Sequence, residues 1–168
     1  MPKIIENLET RLIEEARRQI EESGYSAMTI RSVAAGCGVG VGTVYNYFPS
    51  KDDLLATYML SDWKQCICII EKVSADSDTP QPVLRSIYDQ LLAYACRHQP
   101  VFRDENAIAA FAGSFNRYHG LLRSQLAQPL EKFWKNPFMP DFIAESLLTW
   151  TMAGKSYEEI YAVIEKLL

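Results

Sequence analysis

Apolar residues recur at intervals of three and four along almost the whole chain, the spacing of one face of an α-helix, and no segment shows the alternation that marks a strand. Between Ile4 and Ser23, the residues Ile5, Leu8, Leu12, Ile13, Ala16 and Ile20 keep to one stripe, with acids and arginines opposite, and Gly24 ends that helix. Ile30, Val33, Ala34 and Cys37 repeat the pattern over a much shorter stretch behind Thr29, whose hydroxyl is placed to cap it. Gly36, Cys37 and Gly38 break this helix, because glycine takes the left-handed conformation that a helix exit needs. A further short helix is predicted from Val41 to Tyr47, with Val44 and Phe48 facing inward and Thr43, Asn46 and Tyr47 outward, closed by Pro49 and Ser50. Two short helices around a glycine turn, flanked by longer periodic segments, are the sequence form of a helix-turn-helix.

The period resumes after Lys51 with Leu54, Leu55, Tyr58, Met59, Trp63, Ile67, Ile70 and Val73, a long helix whose first turn carries Asp52 and Asp53 at the positive end of its dipole. Residues 74–82 have one alanine as their only apolar residue and are predicted as a loop. Helical period returns from Val83, is interrupted at Pro100, and continues over Asp104 to Phe111 and over Phe115 to Lys135, where Pro129 should kink or divide the helix. Asn136 to Pro140 is a predicted connection, followed by a helix to Met152 that Gly154 stops. The final helix, Ser156 to Leu168, opens with Ser156 and Glu159 in capping-box order. The fold class is therefore all-α: a three-helix head with a helix-turn-helix over residues 1–50, and a helical bundle over 51–168.

Composition narrows the partners. A chain of 168 residues that is 48% hydrophobic can bury a core, and its net charge of −4 does not suit a protein that coats nucleic acid. Charge is arranged locally instead: from Gly24 to Lys51 there is no Asp or Glu, so that surface does not repel phosphates. No stretch reaches the roughly 18 apolar residues of a membrane span and no leader pattern is present, so a soluble, cytoplasmic protein is expected. Cys37, Cys66, Cys68 and Cys96 lack zinc-type spacing and are expected as buried free thiols; neither a metal nor a cofactor is expected. His98 and His119 have no acid or nucleophile near them along the chain, which argues against an enzyme.

Gly24, Tyr25, Thr29, Ile30, Val33, Ala34, Gly38, Val39, Gly42, Thr43, Val44, Tyr45, Tyr47, Phe48, Ser50, Lys51, Asp52 and Leu54 resemble, in type and spacing, the DNA-binding segment of the TetR-type (tetracycline-repressor-like) transcriptional regulators. Two positions depart from that pattern: Cys37 stands where alanine is usual, and Gly40 where a serine often caps the recognition helix. In a helix-turn-helix the second helix enters the major groove. Val41, Gly42, Thr43 and Asn46 are expected to face base edges: Gly42 lets the backbone approach, the Thr43 hydroxyl donates or accepts, and Asn46 suits an adenine edge. Thr29, Arg31, Tyr45, Tyr47 and Lys51 are expected on phosphates, with Tyr45 open between surface and core.

The resemblance implies a homodimer formed by the two C-terminal helices, which are also more apolar than one exposed pair requires. It implies, too, a small-molecule effector held in the helical body. Candidates for that pocket are Trp63, Tyr88, Tyr94, Phe102, Phe111, Phe115, Tyr118 and His119, with His119 or Arg117 as a polar anchor. The expected function is a DNA-binding regulator, a repressor released from a palindromic operator by its effector. The alternative is a helix-turn-helix regulator gated by a protein partner or by cysteine oxidation, with Cys66, Cys68 or Cys96 as the thiol.

Overall fold

A computed structural model describes residues 7–168 apart from 113 and 114, without the side chains of 111–118. Among the described residues every regular element is helical. The chain divides into two compact units, one within Met1–Asp62 and His98–Gly113, the other within Trp63–Arg97 and Ser114–Leu168.

The first unit opens with α1 (Leu8–Ser23), which buries Leu8, Leu12, Ala16 and Ile20. Asn7 stands at φ 60°, a left-handed residue directly in front of the helix; Ile4 and Ile5 lie outside the described residues. α2 (Ile30–Cys37) and α3 (Val41–Tyr45) follow, and α4 (Lys51–Ala75) begins in this unit. Leu12, Ile20, Val33, Val44, Phe48 and Leu55 form one buried core. Two short helices from much later in the chain join it: α6 (Gln99–Phe102) and α7 (Glu105–Ala112) contribute Val101 and Ala107. The head recognisable in the sequence is thus completed by residues beyond position 97, and the packing unit divides α4 between Asp62 and Trp63 rather than ending at residue 50.

The second unit contains the remainder of α4, then α5 (Pro80–Arg97), α8 (Phe115–Ala127), α9 (Phe138–Met152) and α10 (Tyr157–Ile164). Its core gathers Ile70, Leu84, Ile87, Leu126, Ile143, Leu147 and Ile160. Pro129 divides the predicted 115–135 segment: α8 stops at Ala127 and a 3-10 turn, Gln128–Phe133, continues.

Two predicted loops are shorter than expected, for the same reason. α4 runs to Ala75 and α5 starts at Pro80, so only residues 76–79 connect them; α9 starts at Phe138 and takes in Pro140. A proline in the first turn of a helix removes an N–H that has no partner there in any case. Ser74, polar and predicted in the loop, is buried, and its hydroxyl donates to the Pro129 carbonyl at 2.7 Å. Gly154, at φ 81°, follows α9, and Ser156 with Glu159 forms the capping box of α10.

Candidate nucleic-acid interface

α2 is held at both ends by its own sequence. Thr29 is extended, its hydroxyl accepts the Ser32 N–H at 3.0 Å, and the Ser32 hydroxyl accepts the Thr29 N–H at 3.0 Å, a reciprocal cap. Gly38 leaves the helix at φ 68°, and Val39 N–H closes the turn on the Ala34 carbonyl at 3.0 Å. α1 is tied to this exit at one point: Arg11 Nη2 donates to the Cys37 carbonyl at 3.1 Å and the Cys37 thiol donates back to the Arg11 carbonyl at 3.4 Å. Burial pushes that thiol's pKa up, so the cysteine in place of alanine serves as a small packed side chain with a weak donor. A Cβ at Gly36 would stand 2.2 Å from Glu15 Oε1, so the glutamate side chain would have to swing aside for any larger residue.

α3 starts from Gly40, which is extended and offers no side-chain acceptor. Val44 and Phe48 are buried beneath it. The α-helix ends at Tyr45, two residues earlier than the pattern suggested, because the chain tightens: Tyr47 N–H bonds to the Val44 carbonyl at 3.0 Å. Anchored from below in this way, the element presents Gly42 and Asn46 to solvent, with Val41 and Thr43 half-buried. A Cβ at Gly42 would have no atom within 4 Å, so nothing in the described chain requires glycine there. Tyr45 and Tyr47 are surface residues, 52% and 45% exposed. Thr29 and Arg31 at the start of α2 are exposed as well.

Lys51 opens α4 with its Nζ 3.9 Å from the centre of the Tyr25 ring. Burial pulls its pKa below the ordinary lysine value, with Asp104 and Asp52 acting in the opposite sense. The Tyr25 hydroxyl donates to Asp52, and burial, then that carboxylate, raises the tyrosine pKa. Asp104, Ser26 and Asn106, which the sequence reading did not single out, meet at the edge of this group: Ser26 N–H and hydroxyl both donate to Asp104. An aspartate ahead of a helical stretch is the one local signal at Asp104, and its partner Ser26 lies 78 positions away along the chain.

The described pocket candidates fall in both units. Phe102 belongs to the first unit, packed against His98. In the second, Trp63 donates to Gln125 at 2.7 Å and packs edge-on to Tyr94; Tyr88 donates to the Lys155 carbonyl at 3.2 Å. The side chains of Phe111, Phe115, Tyr118 and Arg117 lie outside the described residues. A cleft of about 270 Å³ on the second unit is lined by Arg123, Phe138, Asp141, Phe142 and Glu145. Both histidines have a carboxylate beside them in space although not in sequence: His98 Nε2 is 3.2 Å from Asp62, and His119 Nε2 is 2.9 Å from Glu145. Of the cysteines, Cys37 and Cys66 are buried as expected, but Cys68 and Cys96 are exposed.

Residues 12–58, which span α1 to the start of α4, match the family model described as bacterial regulatory proteins, tetR family. This segment of the chain is similar to the tetR-family regulators. Among curated relatives, the HTH-type transcriptional regulator HbdR of Aromatoleum sp. is 37% identical over 54 residues, 32% of this chain and 24% of that protein. The first curated relatives are matched over only 24% to 30% of their own length. A TetR-family transcriptional regulator from Pectobacterium atrosepticum shares the fold with a TM-score of 0.71 at 18% identity, over 97% of this chain and 93% of that one. FadR of Bacillus subtilis, in complex with stearoyl-CoA, gives 0.55 at 19% identity, over 93% and 95%. The TetR fold therefore extends beyond the head to the helical body, and these relatives are named as regulators, not enzymes.

Proposed function

We propose that this protein is a sequence-specific DNA-binding transcriptional regulator of the cytoplasm, a homodimeric repressor released from a palindromic operator by a small-molecule effector. The observation that carries the reading is α3: a short helix pinned by Val44 and Phe48, presenting Gly42 and Asn46 to solvent, inside a segment that matches the TetR-family model. Glycine at position 42 has no reason in its own chain, which suits a surface that another molecule must approach closely. In this reading Val41, Gly42, Thr43 and Asn46 face base edges, while Thr29, Arg31, Tyr45, Tyr47 and Lys51 contact phosphates.

Two variants test the assignment. Asn46→Ala changes the preferred base at its position, at a cost of roughly 1–3 kcal/mol on the original operator. Lys51→Ala weakens all duplexes alike and lowers the salt slope by about one phosphate contact. Unchanged binding by both variants would remove α3 from the groove.

Dimerisation by α9 and α10 is supported by the apolar side chains they leave exposed, among them Phe138, Phe142, Trp150, Met152 and Val163. Two heads bind half-sites about 34–36 Å apart, or multiples of that, only when their separation matches. An effector that prefers the mismatched arrangement lowers operator affinity by its differential affinity for the two states. That FadR, of the same fold, holds stearoyl-CoA supports a body that takes a small-molecule ligand. A second reading, gating by thiol oxidation, draws on the exposure of Cys68 and Cys96. Operator binding that responds to oxidant and is insensitive to small molecules would favour it.

A further inference from the structure

Asp104 stands immediately before α7, and its Oδ1 accepts the backbone N–H groups of Asn106 at 3.0 Å and Ala107 at 3.2 Å, the bonds of a helix cap. Its Oδ2 accepts the Ser26 N–H at 2.9 Å and the Ser26 hydroxyl at 2.7 Å. Asn106 Nδ2 donates to the same hydroxyl at 2.9 Å. Ser26 is therefore held from two residues at the start of α7. It also occupies a decisive place between α1 and α2: Tyr25, one residue before it, carries the Lys51 ammonium on its ring, and Thr29, three residues after it, caps α2. The Asp104 charge acts on Lys51 as well, favouring its protonated form.

We propose that Asp104 is a positioning residue for DNA binding: it clamps the α1–α2 loop at Ser26 and so presets the phosphate-contacting groups Thr29, Arg31 and Lys51. The role rests on the DNA-binding reading above. A loop already fixed in the free protein does not have to be ordered when the operator arrives, so the clamp acts through affinity rather than through choice of sequence. Because the clamp is also the cap of α7, loss of order at the start of α7 would loosen the phosphate-contacting groups, with no contact between α7 and DNA.

The test compares the full-length wild-type chain with Asp104→Ala, Asp104→Asn, Ser26→Ala and the Ser26→Ala/Asp104→Ala double variant on the operator obtained from a random duplex pool, with helix content followed by circular dichroism. Asparagine still offers an oxygen to cap α7, but its amide cannot supply a second acceptor to the Ser26 N–H. Both Asp104 variants are expected to bind roughly tenfold more weakly, the loss of one charge-assisted hydrogen bond, with an unchanged consensus, and Asp104→Asn, which keeps the cap, with unchanged helix content as well. The double variant is expected to bind no more weakly than Asp104→Ala alone. Wild-type affinity in Asp104→Asn, or additive losses in the double variant, would reduce Asp104 to the cap of α7 and overturn the proposal. A wild-type chain that selects no sequence would overturn the DNA-binding reading and this role with it, whereas selection by wild type and Asp104→Asn with equal affinity overturns this role alone.

Discussion

Gly38 and Gly40 stand two residues apart in the turn between α2 and α3 and respond to substitution in opposite directions. Gly38 is left-handed at φ 68°, a conformation that costs an L-residue roughly 1–2 kcal/mol, so Gly38→Ala should lower the urea midpoint accordingly. Gly40 is extended at φ −72° and ψ 149°, and a Cβ there would find only Thr43 Oγ1 at 3.8 Å, an ordinary contact. Gly40→Ser should therefore supply the missing cap of α3 and raise stability by a few tenths of a kcal/mol, read as a higher melting temperature. Much at this scale was legible in the sequence. Thr29 is readable as a cap; Ser32 as its reciprocal partner is not, because a glutamate or glutamine is the usual sign. The expectation of buried thiols fails for Cys68, although two residues on a helix separated by one lie about 200° apart, which puts Cys66 and Cys68 on opposite sides.

Helices were easier to read than their ends. Periodicity locates α2, α4, α5, α9 and α10, because burial of one face imposes it. Proline misleads at Pro80 and Pro140, where it reads as a break but sits within a first turn. No local pattern reports that α6 and α7 pack into the head, since that association depends on contacts between residues far apart in the sequence. Several helix starts depend on ionised carboxylates. The Ser26 hydroxyl holds the Asp104 pKa below its ordinary 3.8, and the Ser156 backbone N–H, followed by Lys155, holds Glu159 below its ordinary 4.5. A carboxyl whose folded pKa is depressed stabilises the fold fully above its unfolded value and loses that contribution as pH falls through the folded value. The urea midpoint is accordingly expected to hold level above about pH 5 and to fall steadily below about pH 4, with the earliest losses at the starts of α7 and α10. A midpoint that rises on acidification would contradict these assignments.

For the whole molecule, the all-α architecture was readable because helical period is present almost everywhere, and the head because its motif is dense over Gly24 to Leu54. Pocket-lining positions are not readable from periodicity: an aromatic residue in a helix has the same spacing whether it packs in a core, as Trp63 does against Tyr94, or lines a cavity. Assembly has a direct test, since Trp150 is exposed on α9 in the single chain. Trp150→Asp should weaken self-association by roughly thirtyfold, measured by sedimentation, and weaken operator binding with it. Self-association unchanged by that substitution would place the dimer contact elsewhere. The central claim, that α3 reads a DNA sequence, is tested most directly by selecting bound sequences from a random duplex pool with the purified protein at near-physiological salt. A palindromic consensus with two half-sites is the result this account predicts; weak, strongly salt-dependent binding with no consensus would contradict it.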